Sequence, residues 1–211
     1  MISNGSKFVF LVHPRGNKDL QRKFPYVRFF PEFVINVITK ILPPIEVSQV
    51  TSTVNNTINL LGYIIAITLS PKQMLVNRHL ALKKISDAIR LGIKRNANYF
   101  GLGALTATVA KGGDMLVADF PQTFITNGNT LTAATTVADI EYIFDTSIIK
   151  IKKEKAIIAV VGGTGSIGQG VLKSICNKHP WQEVIVIGRN VQNLQKLKGV
   201  LLEMAPHQSI L

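Results

Sequence analysis

Residues 157–173 constrain the fold of this chain most strongly; they read IIAVVGGTGSIGQGVLK. Five apolar residues run directly into a glycine-rich stretch, and Val171, Leu172 and Ile175 follow at helical spacing. This order predicts a buried strand, a tight turn and a helix. A second apolar run, EVIVIG at 183–188, follows after the helix. The whole segment therefore predicts two parallel strands joined by a crossover helix.

The glycine-rich stretch matches the pattern G-x-G-x-x-G. Its members are Gly163, Thr164, Gly165, Ser166, Ile167 and Gly168. In this pattern the first glycine permits the turn, the second lets the backbone approach a pyrophosphate, and the third lets the helix pack closely. The N–H groups at the start of the helix then face the phosphates. Because a strand precedes the motif and a helix follows it, the sequence predicts a Rossmann-type site for a small-molecule dinucleotide. The alternative is a glycine-rich turn that binds nothing.

The residues after the second strand predict which cofactor is bound. Sites for NAD usually carry a carboxylate there, which binds the ribose 2′-hydroxyl. This chain has Gly188, Arg189 and Asn190 instead, and a guanidinium suits the 2′-phosphate of NADP. We therefore predict that the cofactor is NADPH, with Arg189 and Asn190 in its site. The alternative for Arg189 is a solvated loop arginine.

Composition and charge narrow the class of protein. The chain of 211 residues is 46% hydrophobic and 17% charged, as globular proteins are. No apolar run approaches the ~20 residues of a membrane span, so we expect no transmembrane segment. The single cysteine excludes an internal disulfide, and we expect a cytoplasmic location. The net charge of +12 favours polyanionic partners, but without a recognisable module no nucleic acid is expected as a partner.

A basic stretch at residues 150–155 divides the chain. We predict an α/β substrate domain over residues 1–151 and the first part of a Rossmann domain over 152–211. The predicted fold class is thus α/β, an α/β substrate domain followed by an incomplete Rossmann-type dinucleotide-binding domain. Before the linker, periodicity and breakers predict strands at 7–14, 45–52 and 62–70, and helices at 31–42, 70–92 and after the turn that begins at 126. The helix at 70–92 is expected to begin at Ser70 and to stop at Gly92.

Three stretches resemble the long-chain fatty acyl-[acyl-carrier-protein] reductases, NADPH-dependent enzymes that convert acyl thioesters to fatty aldehydes. They are GLGALTA at 101–107, TNGNTLTAA at 126–134 and VVGGTGSIG at 160–168. In the second, the family reads T-G-N-T-x-T-A, and Asn127 stands here in the position of the first Thr. Many families share the glycine loop, whereas the other two stretches, in this order, are more specific. Glutamyl-tRNA reductases and shikimate dehydrogenases share the general layout and stay open as alternatives.

The resemblance implies a substrate and a partner. Gly128, Asn129 and Thr130 would form a polar turn that faces the cleft for substrate and nicotinamide. The residues by themselves also fit a plain helix cap. The acyl group would come from an acyl-carrier protein or acyl-CoA. Acyl-carrier proteins are acidic, so the basic helix at 70–95 is a predicted docking face, or else a solvated one. Its charged residues are Lys72, Arg78, Lys83, Lys84, Arg90, Lys94 and Arg95, with Asp87.

The resemblance also implies a cysteine nucleophile, which would lie beyond Leu211. We therefore expect no catalytic residue in this chain, and little or no reductase activity from it alone. Cys176 shares its helical spacing with the apolar residues of its helix and is predicted to be a core thiol. The spacing of the histidines is not that of a zinc site. Among them, His13, which precedes Pro14, is the one that we consider a candidate functional residue. A non-catalytic module that holds a nucleotide or an acyl carrier is the alternative function.

Overall fold

The computed structural model describes residues 6–54, 57–146 and 150–211. The chain divides into two compact units, Met1–Asn127 and Gly128–Leu211. Each unit combines helices with a sheet, and the larger sheet is mostly parallel. The predicted α/β class is confirmed at this level. No helix in the part of the chain that the structure describes is long and apolar enough to cross a membrane.

The first unit is built on a five-stranded sheet with the order β2-β3-β1-β4-β5. The strands are β1 (Lys7–Val12), β2 (Ile45–Val54), β3 (Thr57–Ala66), β4 (Ala97–Leu102) and β5 (Phe124–Thr126). Only the β2–β3 pair is antiparallel within this sheet. The helices are α1 (Asn17–Lys23), α2 (Glu32–Ile41), α3 (Pro71–Val76), α4 (Arg78–Lys94), α5 (Leu105–Val109) and α6 (Asp114–Val117), with a 3₁₀ turn at Pro25–Phe29.

The core of the first unit lies between this sheet and α4. Alternate residues of β1, Val9 and Leu11, are fully buried, as period-two side chains facing a core should be. Ile85 and Ile89 of α4 are four residues apart, so they share one helix face, and both are fully buried. Burial of such apolar surface is the main force that holds the unit together.

The predicted single helix at 70–92 is wrong, because residues 70–94 form two helices. Ser70 starts α3 as predicted, with its Oγ accepting from the Gln73 N–H at 3.4 Å and its own N–H donating to the Gln73 side chain at 2.8 Å. Asn77 then leaves helical geometry, at φ −124° and ψ 79°. The Asn77 side chain accepts from the Leu80 N–H at 2.9 Å and so starts α4. Short polar side chains favour this position because they satisfy an unpaired helix N–H.

The sequence predicts that the helix stops at Gly92. This prediction is wrong, because α4 continues to Lys94. Its role is close packing. A Cβ at this position would lie 2.5 Å from Cε1 of Phe100 on β4 and 2.8 Å from Cγ2 of Val9 on β1. The missing side chain therefore lets α4 lie directly on the sheet.

The other predicted elements are observed with shifted ends. The helix predicted at 31–42 is α2, and the turn and helix predicted at 126–145 are observed at the start of the second unit, where the helix spans Asn129–Asp145. The strand predicted at 62–70 is observed as Thr57–Ala66, and Ile67 and Leu69 are buried beyond its end. Apolar composition alone does not distinguish these buried residues from strand residues.

The second unit contains α7 (Asn129–Asp145), β6 (Ile157–Val161), α8 (Ser166–Lys178), β7 (Glu183–Ile187) and α9 (Val191–Met204). β6 and β7 are parallel, as predicted. They pair from Ile157 with Glu183 to Val161 with Ile187. The Val184 N–H donates to Ser209 O at 2.9 Å, and the Leu211 N–H donates to Val184 O at 3.0 Å. Residues 209–211 thus add a short parallel segment to the edge of β7 that faces away from β6.

The boundary between the two compact units falls between Asn127 and Gly128 along the chain, whereas the sequence predicts a domain boundary near Lys152. The difference is α7, which packs against α8 through buried Ala133 and Val137. A Cβ at Gly170 of α8 would lie 2.9 Å from the Cβ of Ala133, so small residues set this close approach.

The opposite edge of β6 has no ladder partner among residues 6–54, 57–146 and 150–211. Its end residues are apolar and exposed, Ile157 at 54% and Val161 at 79%.

Two glycine substitutions test the packing of α4. Gly92→Ala should destabilise the protein by about 1–2 kcal/mol, since overpacking costs ~1–3 kcal/mol and the better helix propensity of Ala returns part of it. Gly199→Ala in α9 is the matched control, because its Cβ would meet nothing within 4 Å. It should stabilise the protein by about 0.5–1 kcal/mol. Thermal unfolding of both variants gives the signs; a Gly92→Ala protein as stable as the control would contradict the packing.

Candidate functional site

The glycine-rich loop between β6 and α8 is fastened to the end of β7. The N–H groups of Gly162 and Gly163 both donate to the Ile187 carbonyl, at 2.8 Å and 3.1 Å. The loop then folds back on itself, with the Gly165 N–H donating to Gly162 O at 2.9 Å. The side chain of Gln169 donates to Thr164 O at 2.9 Å. These bonds fix the conformation of the loop.

The structure assigns the turn itself to Gly162, which lies one residue ahead of the predicted pattern. Gly162 has φ +77°, a conformation that favours glycine. Gly163, the predicted turn residue, instead packs tightly, since its Cβ would lie 2.5 Å from Cγ1 of Val186. Sequence reasoning missed Gly162, although the Gly-Gly pair was a visible signal for it.

Gly168 has the close-packing role that the pattern predicts. A Cβ there would lie 2.5 Å from Gly162 O and 2.8 Å from the Cα of Gly163. Any side chain would therefore push the start of α8 away from the loop.

The first turn of α8 has backbone N–H groups that make no hydrogen bond within the helix. Gly165 is its N-cap, and the first intrahelical bond runs from the Gln169 N–H to Gly165 O at 2.8 Å. The N–H groups of Ser166, Ile167 and Gly168 precede that bond, so they are the orphan donors of the helix. N–H groups of this kind, together with the helix dipole, favour an anion. The predicted pyrophosphate site stays a prediction.

A cleft of about 510 Å³ runs along this loop within the second unit. Its floor is β6, and the loop contributes Gly162 and the residues from Gly165 to Gly168. The helix α7 closes one side with Asn129, Thr136 and Ile140. The structure thus brings the predicted Asn129 beside the predicted glycine loop.

The other two residues of the predicted polar turn stand at the start of α7. Gly128 is its N-cap, with φ +74°, and its carbonyl accepts from the Thr132 N–H at 3.0 Å. Thr130 is exposed in the first turn. Neither Gly128 nor Thr130 is among the described residues that line the cleft. The turn at a helix start is therefore observed, and the substrate role of the three residues stays a prediction.

Arg189 and Asn190 follow β7 beside the loop. A Cβ at Gly188 would lie 3.1 Å from Cγ2 of Thr164, so the two loops touch. Arg189 is exposed, and Asn190 caps α9 by accepting from the Asn193 N–H at 2.9 Å. A second cleft of about 290 Å³ starts at Thr164 and is lined by two further cations, Lys173 and Lys196. The surroundings of the loop are therefore positively charged.

Cys176 lies in the core of the second unit, as predicted. Its side chain is 1% exposed and packs with Leu172 and Ile175. Burial raises the pKa of the Cys176 thiol to about 11. A thiol in this environment is not a nucleophile at neutral pH.

His13 lies at the carboxyl end of β1 in the first unit. Its Nδ1 is 3.0 Å from the Pro14 carbonyl. Its Nε2 is buried and has no hydrogen-bond partner among the described residues. Within the described ranges no cluster of His, Cys, Asp and Glu could hold a metal ion. The one hydrogen-bond contact described for the His13 ring is therefore with a backbone carbonyl.

One residue of the predicted basic docking face is buried. Lys84 is 5% exposed and donates to the carbonyls of Ile41, at 3.2 Å, and Leu42, at the end of α2. Burial, and then the charge of Lys83, lower the pKa of the Lys84 amine. Lys84 is thus a cap for α2, where the helix dipole favours a cation. The exposed charge of this face comes from the other basic residues, of which Arg95 pairs with Glu46 at 3.3 Å.

Comparison with known proteins identifies no family for this arrangement. No family model matches the chain, and no curated protein matches it. The resemblance of its three stretches to acyl-[acyl-carrier-protein] reductases therefore stays a prediction.

The environment of Cys176 predicts its reactivity. With a pKa of about 11, roughly one thousandth of the thiol is ionised at pH 8, and the side chain is shielded. A thiol reagent such as dithionitrobenzoate should therefore not label the folded protein within minutes, and should label it fully in denaturant. Val200→Cys, at a 40% exposed position, is the positive control. Rapid labelling of Cys176 in the folded protein would show that it is an accessible nucleophile.

Proposed function

We propose that this protein is an NADP(H)-dependent oxidoreductase whose second unit binds the dinucleotide in a Rossmann-type arrangement. The observation that supports this most directly is the loop from Gly162 to Gly168. It joins a parallel strand to a helix, it is held in place by Ile187, and it directs the first N–H groups of α8 at an open cleft. This is the geometry on which pyrophosphates bind in doubly wound α/β proteins. The third parallel segment, beside β7, supports the same strand order.

The residues present fit the cofactor at both of its charged groups. The N–H groups of Ser166, Ile167 and Gly168 would hold the pyrophosphate. Arg189 would hold the 2′-phosphate, and the absence of a carboxylate from Gly188, Arg189 and Asn190 favours NADP(H) over NAD(H).

The proposed reaction is the reduction of a long-chain acyl thioester, from an acyl-carrier protein or acyl-CoA, to a fatty aldehyde. NADPH supplies a hydride when it is bound. Asn129 shares the cleft with the glycine loop, and its amide can donate a hydrogen bond to a carbonyl oxygen. The contribution of this chain is to position the cofactor and to polarise the group that is reduced.

A binding module without catalysis is the second candidate. The observation that favours it is Cys176, the single cysteine of the chain, which is buried and holds its proton at neutral pH. A reductase that forms a covalent acyl intermediate needs an accessible thiolate. Such a module would bind a nucleotide, or an acyl carrier at the basic face of α4, and would release no product.

The first test is the choice between cofactors. Wild-type protein should bind NADPH at least about tenfold more tightly than NADH, since charge-assisted hydrogen bonds contribute ~1.5–3 kcal/mol. Arg189→Ala should remove most of that difference while leaving the NADH affinity unchanged. Titrations followed by cofactor fluorescence measure both constants. Lys198→Ala, an exposed cation on α9, is the control and should behave like the wild type.

Equal affinities of the wild type for the two cofactors would contradict the role of Arg189. Failure to bind either cofactor would contradict the proposed nucleotide site itself.

The second test separates the two functions. Protein with NADPH is given a long-chain acyl-carrier thioester, and the aldehyde is detected directly rather than through NADPH loss. Aldehyde formation that Cys176→Ala leaves unchanged supports the reductase and agrees with the burial of this thiol. Tight NADPH binding without aldehyde supports the binding module and agrees with the expectation of little or no reductase activity from this chain alone. Activity that Cys176→Ala abolishes would contradict the assignment of Cys176 to the core.

A further inference from the structure

An apolar patch lies exposed on the first unit. We define the aromatic patch by its members, Tyr26, Phe29, Phe33, Val37 and Ile41, which lie on the 3₁₀ turn and on α2. Phe29, Phe33 and Ile41 are 70–76% exposed. Single exposed apolar side chains are ordinary, but five of them on one turn and the helix that follows it favour an interaction surface.

The helix α2 is oriented opposite to a normal surface helix. Phe33, Val37 and Ile41 recur every four residues, so they lie along one face, and that face is exposed. The inner face buries one apolar residue, Ile35, with Thr39, and the Gln73 side chain donates to Asn36 O there at 2.9 Å. Surface helices of globular proteins turn their apolar stripe to the core. A helix that presents aromatic and aliphatic residues outward, next to cations, is typical of one that lies in a membrane interface.

The charge around the aromatic patch identifies the kind of surface that it fits. Residues 15–42 contain six basic and two acidic residues, a net charge of +4. Asp19 is engaged by Arg15 at 3.1 Å. The Arg28 guanidinium lies 4.9 Å from the centroid of the Phe29 ring, and Lys40 belongs to α2. Cations directly beside an apolar surface match the phosphates and acyl region of anionic lipids.

A cavity of about 260 Å³ lies beside the aromatic patch and reaches the surface there. Its lining is almost entirely apolar and includes Phe24, Phe30, Ile35, Ile38 and Leu42. Phe30, Ile38 and Leu42 are themselves 38–45% exposed, so the cavity opens among the residues around the patch. A flexible hydrocarbon chain can enter such a cavity. Together with the cations beside the patch, Arg28 and Lys40, this favours an anionic lipid as the occupant.

We propose that the aromatic patch binds the surface of an anionic lipid bilayer. In this arrangement α2 lies parallel to the membrane plane, Phe29, Phe33 and Ile41 enter the acyl boundary, and Arg28 and Lys40 contact lipid phosphates. This goes beyond the proposed nucleotide chemistry and does not depend on it, since every residue that carries it belongs to the first unit.

Vesicle flotation of the full chain tests the proposal. The wild type should float with phosphatidylcholine vesicles that contain phosphatidylglycerol, float less with phosphatidylcholine alone, and bind less at high salt. Phe29→Glu with Phe33→Glu should weaken binding at least about tenfold, because apolar insertion is lost. Leu131→Glu with Tyr142→Glu, at exposed apolar positions on α7, adds the same two charges elsewhere, is the matched control and should bind like the wild type.

A second pair of variants separates a specific surface from the general charge of the chain. Arg28→Glu with Lys40→Glu should weaken vesicle binding more than Lys155→Glu with Lys198→Glu, which changes the net charge equally at exposed positions elsewhere. Equal losses in the two pairs would reduce the interaction to the overall charge of +12 and overturn the proposal.

Three further results would also overturn it. The first is a wild type that does not bind anionic vesicles, and the second is a Phe29→Glu, Phe33→Glu protein that binds them as well as the wild type does. The third is a dimer in sedimentation that these substitutions dissociate without changing vesicle binding, since the patch would then join two copies. Circular dichroism confirms that each variant is folded.

Discussion

The second unit depends on one close backbone contact, between Gly168 at the start of α8 and the carbonyl of Gly162. Because Gly168 has no side chain, α8 begins directly against the turn, and a Cβ would need to occupy space 2.5 Å from that oxygen. This approach places the first N–H groups of α8 beside the turn, and the turn is separately bonded to Ile187 at the end of β7. The geometry of the loop thus depends on the absence of a side chain at Gly168.

In the first unit a buried cation has a comparable organising role. Lys84 extends from α4 to the last carbonyls of α2, where the helix dipole favours a positive charge. Breaking such a buried interaction is costly because its partners lose their hydrogen bonds. Lys84 thereby ties the end of α2 to α4. The apolar stripe of Phe33, Val37 and Ile41 on this helix is exposed.

Local signals predicted the glycine loop well and tertiary features poorly. The strand, loop and helix from Ile157 onward were predictable because their apolar runs and glycines are adjacent in the sequence. The break at Asn77 was not, since the apolar period continues through it, although Asn is a frequent N-cap. Gly92 resembles a helix stop until Phe100, on another element, packs against it. Asn129 enters the cleft only through the packing of Ala133 on Gly170, which no local pattern encodes.

One edge of β6 has no partner strand among the described residues, and this edge lies beside the cleft. Its backbone N–H and C=O groups face outward, and Ile157 and Val161 are exposed beside them. A strand that hydrogen-bonds there in the parallel sense would run in the same direction as β6, so its last residues would stop next to Gly162. Side chains delivered in this way would line the cleft from the side opposite β7. Such a strand would extend the sheet on this side and end beside the glycine loop.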